Sequence, residues 1–156
     1  MGPFKTAVLS GRDCPDPSKP YIKNPSMVFY PTVHNVSGRT VIHGNFTVFR
    51  DTKDVKIKIR SYFWKFNKWV SSPILKQVDC HGSLLQITFS ATNVKYDKKQ
   101  CMFFKGAYAF KNLEFNYLQH IWASKLPYGR ILWRLEVYSK DGMYFCNDFD
   151  SLTVPG

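Results

Sequence analysis

The chain has 156 residues, enough for one domain with a hydrophobic core, and its 44% hydrophobic content excludes a disordered protein. Its 22 Lys and Arg against 11 Asp and Glu give a net charge of +11, which favours phosphates, anionic lipid headgroups or acidic proteins as partners. No stretch approaches the ~18 consecutive apolar residues of a membrane span.

The N-terminal region is predicted to be extended and not helical. Residues 1–12 hold an apolar run too short for a signal peptide, so we interpret them as a leader remnant or arm before a single domain at 13–156. Six of the nine prolines lie within the first 31 residues. The stretch DCPDPSKPYIKNPS, residues 13–26, is therefore predicted to be an extended or turning arm.

Strand patterns dominate the rest of the chain. Stretches rich in β-branched and aromatic residues predict strands at 26–36, 40–50, 55–66, 103–115, 131–138 and 143–149. Asp141-Gly142 predicts a hairpin between the last two, and Leu126-Pro127-Tyr128-Gly129 predicts the turn that precedes them. Residues 115–126 have helical spacing for about two turns, whereas residues 82–93 fit either a strand or a short helix. The predicted fold class is all-β: an antiparallel two-sheet cup or sandwich with one or two short helices.

The stretch VKIKIRSYFWKFNKWV, residues 55–70, alternates apolar and basic residues as far as Arg60 and then becomes aromatic. A regular strand would expose Tyr62, Trp64 and Phe66 beside basic residues, whereas a β-bulge at Arg60-Ser61 would turn them toward the core. We expect the bulge, because three adjacent exposed rings are costly for a soluble protein.

Catalytic and metal-binding motifs are not found in the sequence. The four histidines, His34, His43, His81 and His120, are too dispersed to suggest a metal site. No phosphate-cradling glycine loop, nucleophile elbow or CxxC pair is present, and two glutamates leave little for a pair of catalytic carboxylates. We therefore expect a non-enzymatic protein without a cofactor or metal.

Cysteines and glycosylation sequons indicate a secreted, extracellular glycoprotein. Cys14, Cys80, Cys101 and Cys146 are an even number that fits full oxidation, and they allow three pairings. Buried free thiols in a cytosolic protein are the alternative. The sequons begin at Asn35 and Asn45.

Several short motifs follow one another in a recognisable order. They are Asp13-Cys14, residues 43–47, residues 78–80, Cys101, residues 105–108, residues 126–129 before ILWRLEVY, Asp141-Gly142 and Cys146. In order and spacing they resemble the ganglioside-activator-like (ML-type) lipid-recognition proteins, and most of all the insect secreted chemosensory members. The resemblance runs from about residue 13 to the C-terminus. The chain departs from it in having Cys101-Met102 where Cys-Pro is usual.

The resemblance implies a fold, a function and a disulfide pairing. It implies a β-cup whose hydrophobic cavity holds an acyl chain, hydrocarbon or similar ligand in a chemosensory or lipid-transfer role, and it implies the pairs Cys14–Cys146 and Cys80–Cys101. The 13 Phe, 9 Tyr and 4 Trp agree with an aromatic cavity lining. Strand alternation then gives the candidate ligand contacts, for each of which ordinary core packing is the alternative. They are Phe46, Val48, Ile57, Ile59, Tyr108, Phe110, Ile131, Trp133, Leu135 and Val137, with Trp122 on a lid or rim.

Other partners are considered from the basic residues. Lys56, Lys58, Arg60, Lys65 and Lys68 are predicted to form an exterior that contacts an anionic membrane, or else a solvated face. One alternative function is a secreted receptor co-factor or effector that acts through a protein partner. Another is a nucleic-acid binder that stacks bases on the basic aromatic strand, which the cysteines and sequons disfavour. Nothing in the sequence requires more than a monomer.

Overall fold

The protein is an all-β sandwich, as the sequence predicted. The computed structural model describes residues 4–78, 89, 92–122 and 125–156, with the side chains of all these except 74–78, 112, 118, 121 and 122. One sheet has five strands, in the order β1 (Phe4–Asp13), β10 (Gly142–Pro155), β9 (Gly129–Ser139), β4 (Lys56–Lys65) and β5 (Lys68–Val78). The other has three strands, in the order β2 (Met27–Val36), β3 (Arg39–Val48) and β8 (Gly106–Glu114). The short strands β6 (Tyr96–Asp97) and β7 (Met102–Phe103) pair with each other, and helix α1 is Phe115–Trp122.

Most of the predicted elements are present. The six predicted strands fall on β2, β3, β4, β8, β9 and β10, and the predicted helix begins at Phe115. The hairpin between β9 and β10 turns at Lys140-Asp141, where Ser139 pairs with Gly142. Gly142 has a φ of 139°, a backbone conformation that favours glycine. The ambiguous stretch 82–93 lies almost entirely outside the described residues.

The first strand corrects one expectation. Residues 4–12 were assigned to an arm or leader remnant, but they form β1, which pairs with β10 from Phe4↔Pro155 to Asp13↔Asn147. Phe4 and Val8 are buried in the core of the sandwich. The register shifts between Val8 and Ser10, and this irregularity breaks the alternation by which a strand is recognised.

The aromatic strand corrects a second expectation. β4 pairs with β9 without interruption from Lys56↔Tyr138 to Phe63↔Ile131, so the bulge predicted at Arg60-Ser61 is wrong. The irregularity lies on the other side, where the register of β5 jumps from Leu75 to Ser71 against β4. Pro73 falls within this jump, on an edge strand where a missing N–H is tolerated. Tyr62 and Trp64 consequently face away from the core, and Phe63 packs against it.

The proline-rich segment crosses the outer face of the five-stranded sheet. A disulfide between Cys14 and Cys146 fixes its start, as the resemblance implied. The segment then pairs through Pro20 and Ile22 with the backbone of Met143. Cys101 is also disulfide-bonded, and its predicted partner Cys80 lies outside the described residues. The segment 14–22 therefore covers part of a sheet face that would otherwise meet water.

No helix among the described residues has the length and hydrophobicity needed to span a membrane.

Candidate functional site

The inner face of the five-stranded sheet is built from regular alternation on β4 and β9. Ile57 pairs with Val137, and Ile59 pairs with Leu135, which places all four side chains toward the three-stranded sheet. Because successive residues of a strand point to opposite faces, Trp133 lies on the same inner face. The two strands thus supply a continuous apolar surface.

Four phenylalanine rings join this surface to the opposite sheet. Phe145 of β10 lies with its ring centroid 5.7 Å from that of Phe29 and 5.9 Å from that of Phe46. Phe110 of β8 lies 5.4 Å from Phe29 and 6.3 Å from Phe46. Ring pairs at such distances contribute about 0.5–1.5 kcal/mol each beyond the area that they bury. Phe29 and Phe46 are buried, whereas Phe110 and Phe145 are partly exposed.

Leu135 is the informative residue of the inner face. It is partly exposed, although its strand neighbours on the same face, Trp133 and Val137, are 0% and 4% exposed. It also lies between β4 and β10, where it pairs with Ile59 and Asn147, both buried. Neither a strand end nor a sheet edge therefore explains its exposure. Leu135 also packs against the core cluster, so its side chain lies on the face that meets the three-stranded sheet.

Helix α1 closes one end of the sandwich. Trp133 is fully buried and donates a hydrogen bond from Nε1 to Oε1 of Gln119 at 2.8 Å. Gln119 is also fully buried, and its amide donates to the hydroxyl of Thr6 in β1. Asn116 accepts a hydrogen bond from the backbone N–H of Thr6 at 3.1 Å. This end is solid core, and Trp133 belongs to it.

The predicted ligand contacts form part of one hydrophobic cluster, and they differ in exposure. Eight of them are buried: Phe46, Val48, Ile57, Ile59, Tyr108, Ile131, Trp133 and Val137. Phe110 and Leu135 are partly exposed, and the side chain of Trp122 lies outside the described set. Of the ten predicted contacts whose side chains are described, only Phe110 and Leu135 expose enough surface to meet a ligand without rearrangement.

Sequence reasoning missed two residues of this site, Phe145 and Asn147. Asn147 is 1% exposed and lies on the same face as Leu135, with which it pairs. Its Nδ2 donates to Oδ1 of Asp13 at 3.5 Å, while its own Oδ1 has no hydrogen-bond partner within the described part of the protein. The pattern Phe145-x-Asn147-x-Phe149 was a usable signal, because it places a polar side chain between two inward rings.

The outer face of the same sheet carries a ladder of paired charges, defined here by Arg60, Arg130, Arg134 and their carboxylate partners. Arg60 binds Glu136 at 2.5 Å, and Arg130 binds Asp150. Arg134 binds Asp148 at 2.8 and 3.0 Å and Asp16 at 3.1 Å. The guanidinium of Arg130 lies 5.0 Å from the ring of Trp64 and 5.1 Å from that of Trp69. Arg134 lies 5.4 Å from the ring of Tyr62.

Hydrogen bonds set the charge states of this outer ladder. Hydrogen bonding to Asp148 raises the pKa of Arg134 above its ordinary value, against the opposite effect of burial. Burial by itself would raise the pKa of Glu136, but hydrogen bonds from Ser18 and Arg60 outweigh burial and hold that pKa below its ordinary value. Both shifts favour the charged forms of Arg134 and Glu136.

The five predicted membrane-contact residues fall into two groups. Lys58 and Arg60 are partly buried, and Arg60 is engaged by Glu136. Lys56, Lys65 and Lys68 are exposed. Lys65 and Lys68 flank the tip of the β4–β5 hairpin, whose turn residues Phe66 and Asn67 have φ values of 53° and 57°. The side chain of Phe66 is 88% exposed.

The sequon residues lie on the surface, and the candidate metal ligands are unsuited to a metal. Asn35 and Asn45 are exposed, and Asn45 precedes the buried Phe46, as the predicted strand phase requires.

Within the described residues, Cys14, Cys146 and Asp148 place potential metal-ligating atoms close together. The two sulfurs are bonded to each other, so they are not the thiolates that a metal requires.

Comparison with known proteins leaves the resemblance to the ML-type proteins untested. No protein-family model matches the chain, and no curated protein matches it. The functional argument therefore rests on the geometry of the two faces of the five-stranded sheet.

Proposed function

We propose that this protein is a secreted, non-enzymatic binding protein that holds an acyl chain, hydrocarbon or similar apolar ligand between its two sheets. The observation that carries the proposal is the partial exposure of Leu135, although Ile59 and Asn147, with which it pairs on the two neighbouring strands, are buried. Phe110 and Phe145 add partly exposed rings that pack against the same core cluster as Leu135. Covering such surface contributes roughly 0.8 kcal/mol for each methylene group buried, so a long chain binds tightly with few polar contacts.

Two features support an extracellular location. A disulfide such as Cys14–Cys146 is typical of proteins in oxidising compartments. Both sequon asparagines are exposed on the three-stranded sheet, where a glycan has room to extend into solvent. Treatment of protein from secretory cells with a glycosidase should reduce its mass by that of at least one glycan.

Ligand binding is tested by displacement of a fluorescent fatty-acid probe, together with native mass spectrometry. Leu135→Asn should keep the fold and weaken probe binding by about tenfold or more, because an amide replaces apolar surface at the contact. Leu152→Asn is the matched control, since Leu152 is 38% exposed and lies on the opposite face of the sheet. Wild-type protein that binds no probe at micromolar concentration, or equal binding by both variants, would contradict the proposal.

A second candidate activity concerns the β4–β5 hairpin tip, defined by residues 64–68. Phe66 is the most exposed large hydrophobic side chain in the described chain, Trp64 is 39% exposed, and Lys65 and Lys68 flank the turn. A bulky residue with positive φ costs about 1–2 kcal/mol, and such strain is common at binding positions. We propose that the tip rests on an anionic membrane, with Phe66 in the interface and the lysines at the headgroups.

Vesicle sedimentation tests this contact. The wild type should bind vesicles of phosphatidylcholine with phosphatidylserine and leave pure phosphatidylcholine vesicles in solution, because each lysine near an anionic surface contributes about 1 kcal/mol. Phe66→Ser should lose most of the binding, whereas Phe49→Ser, at another exposed phenylalanine, should keep it. Equal losses in the two variants, or no dependence on phosphatidylserine, would count against the tip and favour a protein partner.

A further inference from the structure

Among the side chains that the structure describes, the oxygen of Asn147 is a buried polar atom that has no hydrogen-bond partner. Asn147 is 1% exposed, and its Oδ1 lacks a hydrogen-bond partner in the described structure. A buried acceptor without a donor loses the hydrogen bonds that it made to water in the unfolded chain. An apolar side chain of the same shape would lose no such hydrogen bonds on folding.

The surroundings define where this oxygen lies. Asn147 pairs with Leu135 on one side and with Asp13 on the other, so its side chain shares the inner face with both. The next inward residues of β10 are Phe145 and Phe149, which pack against the core cluster. Asn147 thus lies beside the partly exposed Leu135, on the face assigned above to the apolar ligand.

Asp13 determines which end of the Asn147 side-chain amide is the nitrogen and which is the oxygen. Nδ2 faces Oδ1 of the Asp13 carboxylate at 3.5 Å, whereas the reverse orientation would bring two acceptor oxygens together. The carboxylate of Asp13 is exposed and adds negative charge on the same side. An ionised carboxylate of a ligand would therefore meet an acceptor and a like charge.

We infer that the ligand carries a neutral hydrogen-bond donor, such as a hydroxyl or an amide N–H, that binds Oδ1 of Asn147. The inference rests on the proposed ligand site between the sheets and adds the chemistry of the ligand's polar end. A long-chain alcohol or an N-substituted fatty amide satisfies the acceptor, whereas a plain alkane, an ether or a fatty carboxylate leaves it without a partner.

Two probes of equal chain length separate these cases: 1-hexadecanol, which donates a hydrogen bond, and hexadecyl methyl ether, which does not. Displacement of a fluorescent probe from the wild-type protein should show the alcohol binding about tenfold or more tightly than the ether. In Asn147→Leu, which keeps the volume and removes the acceptor, this preference should vanish and the ether should bind at least as well as it binds the wild type.

Each result has a defined meaning. Equal affinities for alcohol and ether in the wild type would overturn the inference and leave the proposed ligand site standing, and so would a preference that persists in Asn147→Leu. If neither compound displaces the probe from the wild type, the proposed function fails together with the inference. Should Asn147→Leu not fold, the wild-type comparison of the two compounds still decides between these outcomes.

Discussion

The two faces of strand β9 differ in how completely their polar groups are paired and their apolar side chains are buried. On the outer face, Arg134 and Glu136 are buried charges, and each has an opposite charge within hydrogen-bond distance. The segment 14–22 then covers them. On the inner face, Leu135 remains partly exposed, and Oδ1 of Asn147 accepts no hydrogen bond from the residues that the structure describes. The outer face pairs its charges within the chain, so the inner face is where the proposed ligand would add most to stability.

The largest effect is expected from the link that holds the covering segment in place. Replacing both Cys14 and Cys146 by Ser should lower the free energy of unfolding by about 4–5 kcal/mol, because the bridge joins residues 132 apart in sequence. Urea denaturation measures this loss. A loss below about 1 kcal/mol would mean that residual pairing of β1 with β10 already holds the two ends of the unfolded chain together. The disulfide would then add little further constraint.

The outer ladder is tested by a matched pair of aspartates. Asp148→Asn should cost about 3–5 kcal/mol of stability, because it leaves the buried Arg134 with Asp16 alone, whose side chain is 81% exposed. Asp150→Asn should cost less than about 1 kcal/mol, since its partner Arg130 is 39% exposed. Equal losses, measured by thermal or urea unfolding, would show that burial does not separate the two pairs.

The inner face is tested by a matched pair of leucines. Leu126 is fully buried, so Leu126→Ala should cost about 2–5 kcal/mol in the absence of ligand. Leu135→Ala should cost roughly 1 kcal/mol, because the side chain is already partly exposed and its removal leaves less new cavity. Chemical denaturation of ligand-free protein decides this. A loss at Leu135 as large as that at Leu126 would place Leu135 in solid core.

The smallest effect concerns pH and Glu136. Because its pKa is lower in the folded protein than the ordinary value of 4.5, the ionised form is stabilised by folding. That stability is present above about pH 4.5 and is lost as the pH falls through the lower, folded pKa. Glu136→Gln should flatten the acid limb of the stability profile, while Glu114→Gln, in the other sheet, is the control. An unchanged acid limb in Glu136→Gln would contradict this role.

The sequence predicted the fold class and most strands, because alternation and turn residues act locally. It failed where partners come from distant strands. The rings of Tyr62 and Trp64 were expected inside the core because exposed rings are costly, yet Arg134 and Arg130 of β9 stack on them. β5 was missed because Pro73 and a change of register interrupt its pattern.

The site was predicted in outline only. Alternation correctly placed Leu135 and Trp133 on one face, but it could not distinguish them, since exposure depends on how the second sheet and helix α1 pack. Trp133 is fully buried and hydrogen-bonded to Gln119 of helix α1, whereas Leu135 remains partly exposed. The orphan acceptor of Asn147 required coordinates, because its partners lie on β1 and β9.

The pairing of β1 with β10 has a consequence for how the protein is made. β1 is synthesised before its partner strand β10, which follows more than a hundred residues later in the chain. Until then the polar backbone of β1 has no strand partner, and Cys14 can react only with cysteines other than Cys146. Contacts between such distant parts of a chain slow folding, because loop closure must precede the gain from pairing. Efficient production of this protein therefore depends on a folding environment that reshuffles early disulfides and protects the N-terminal strand from pairing with other chains.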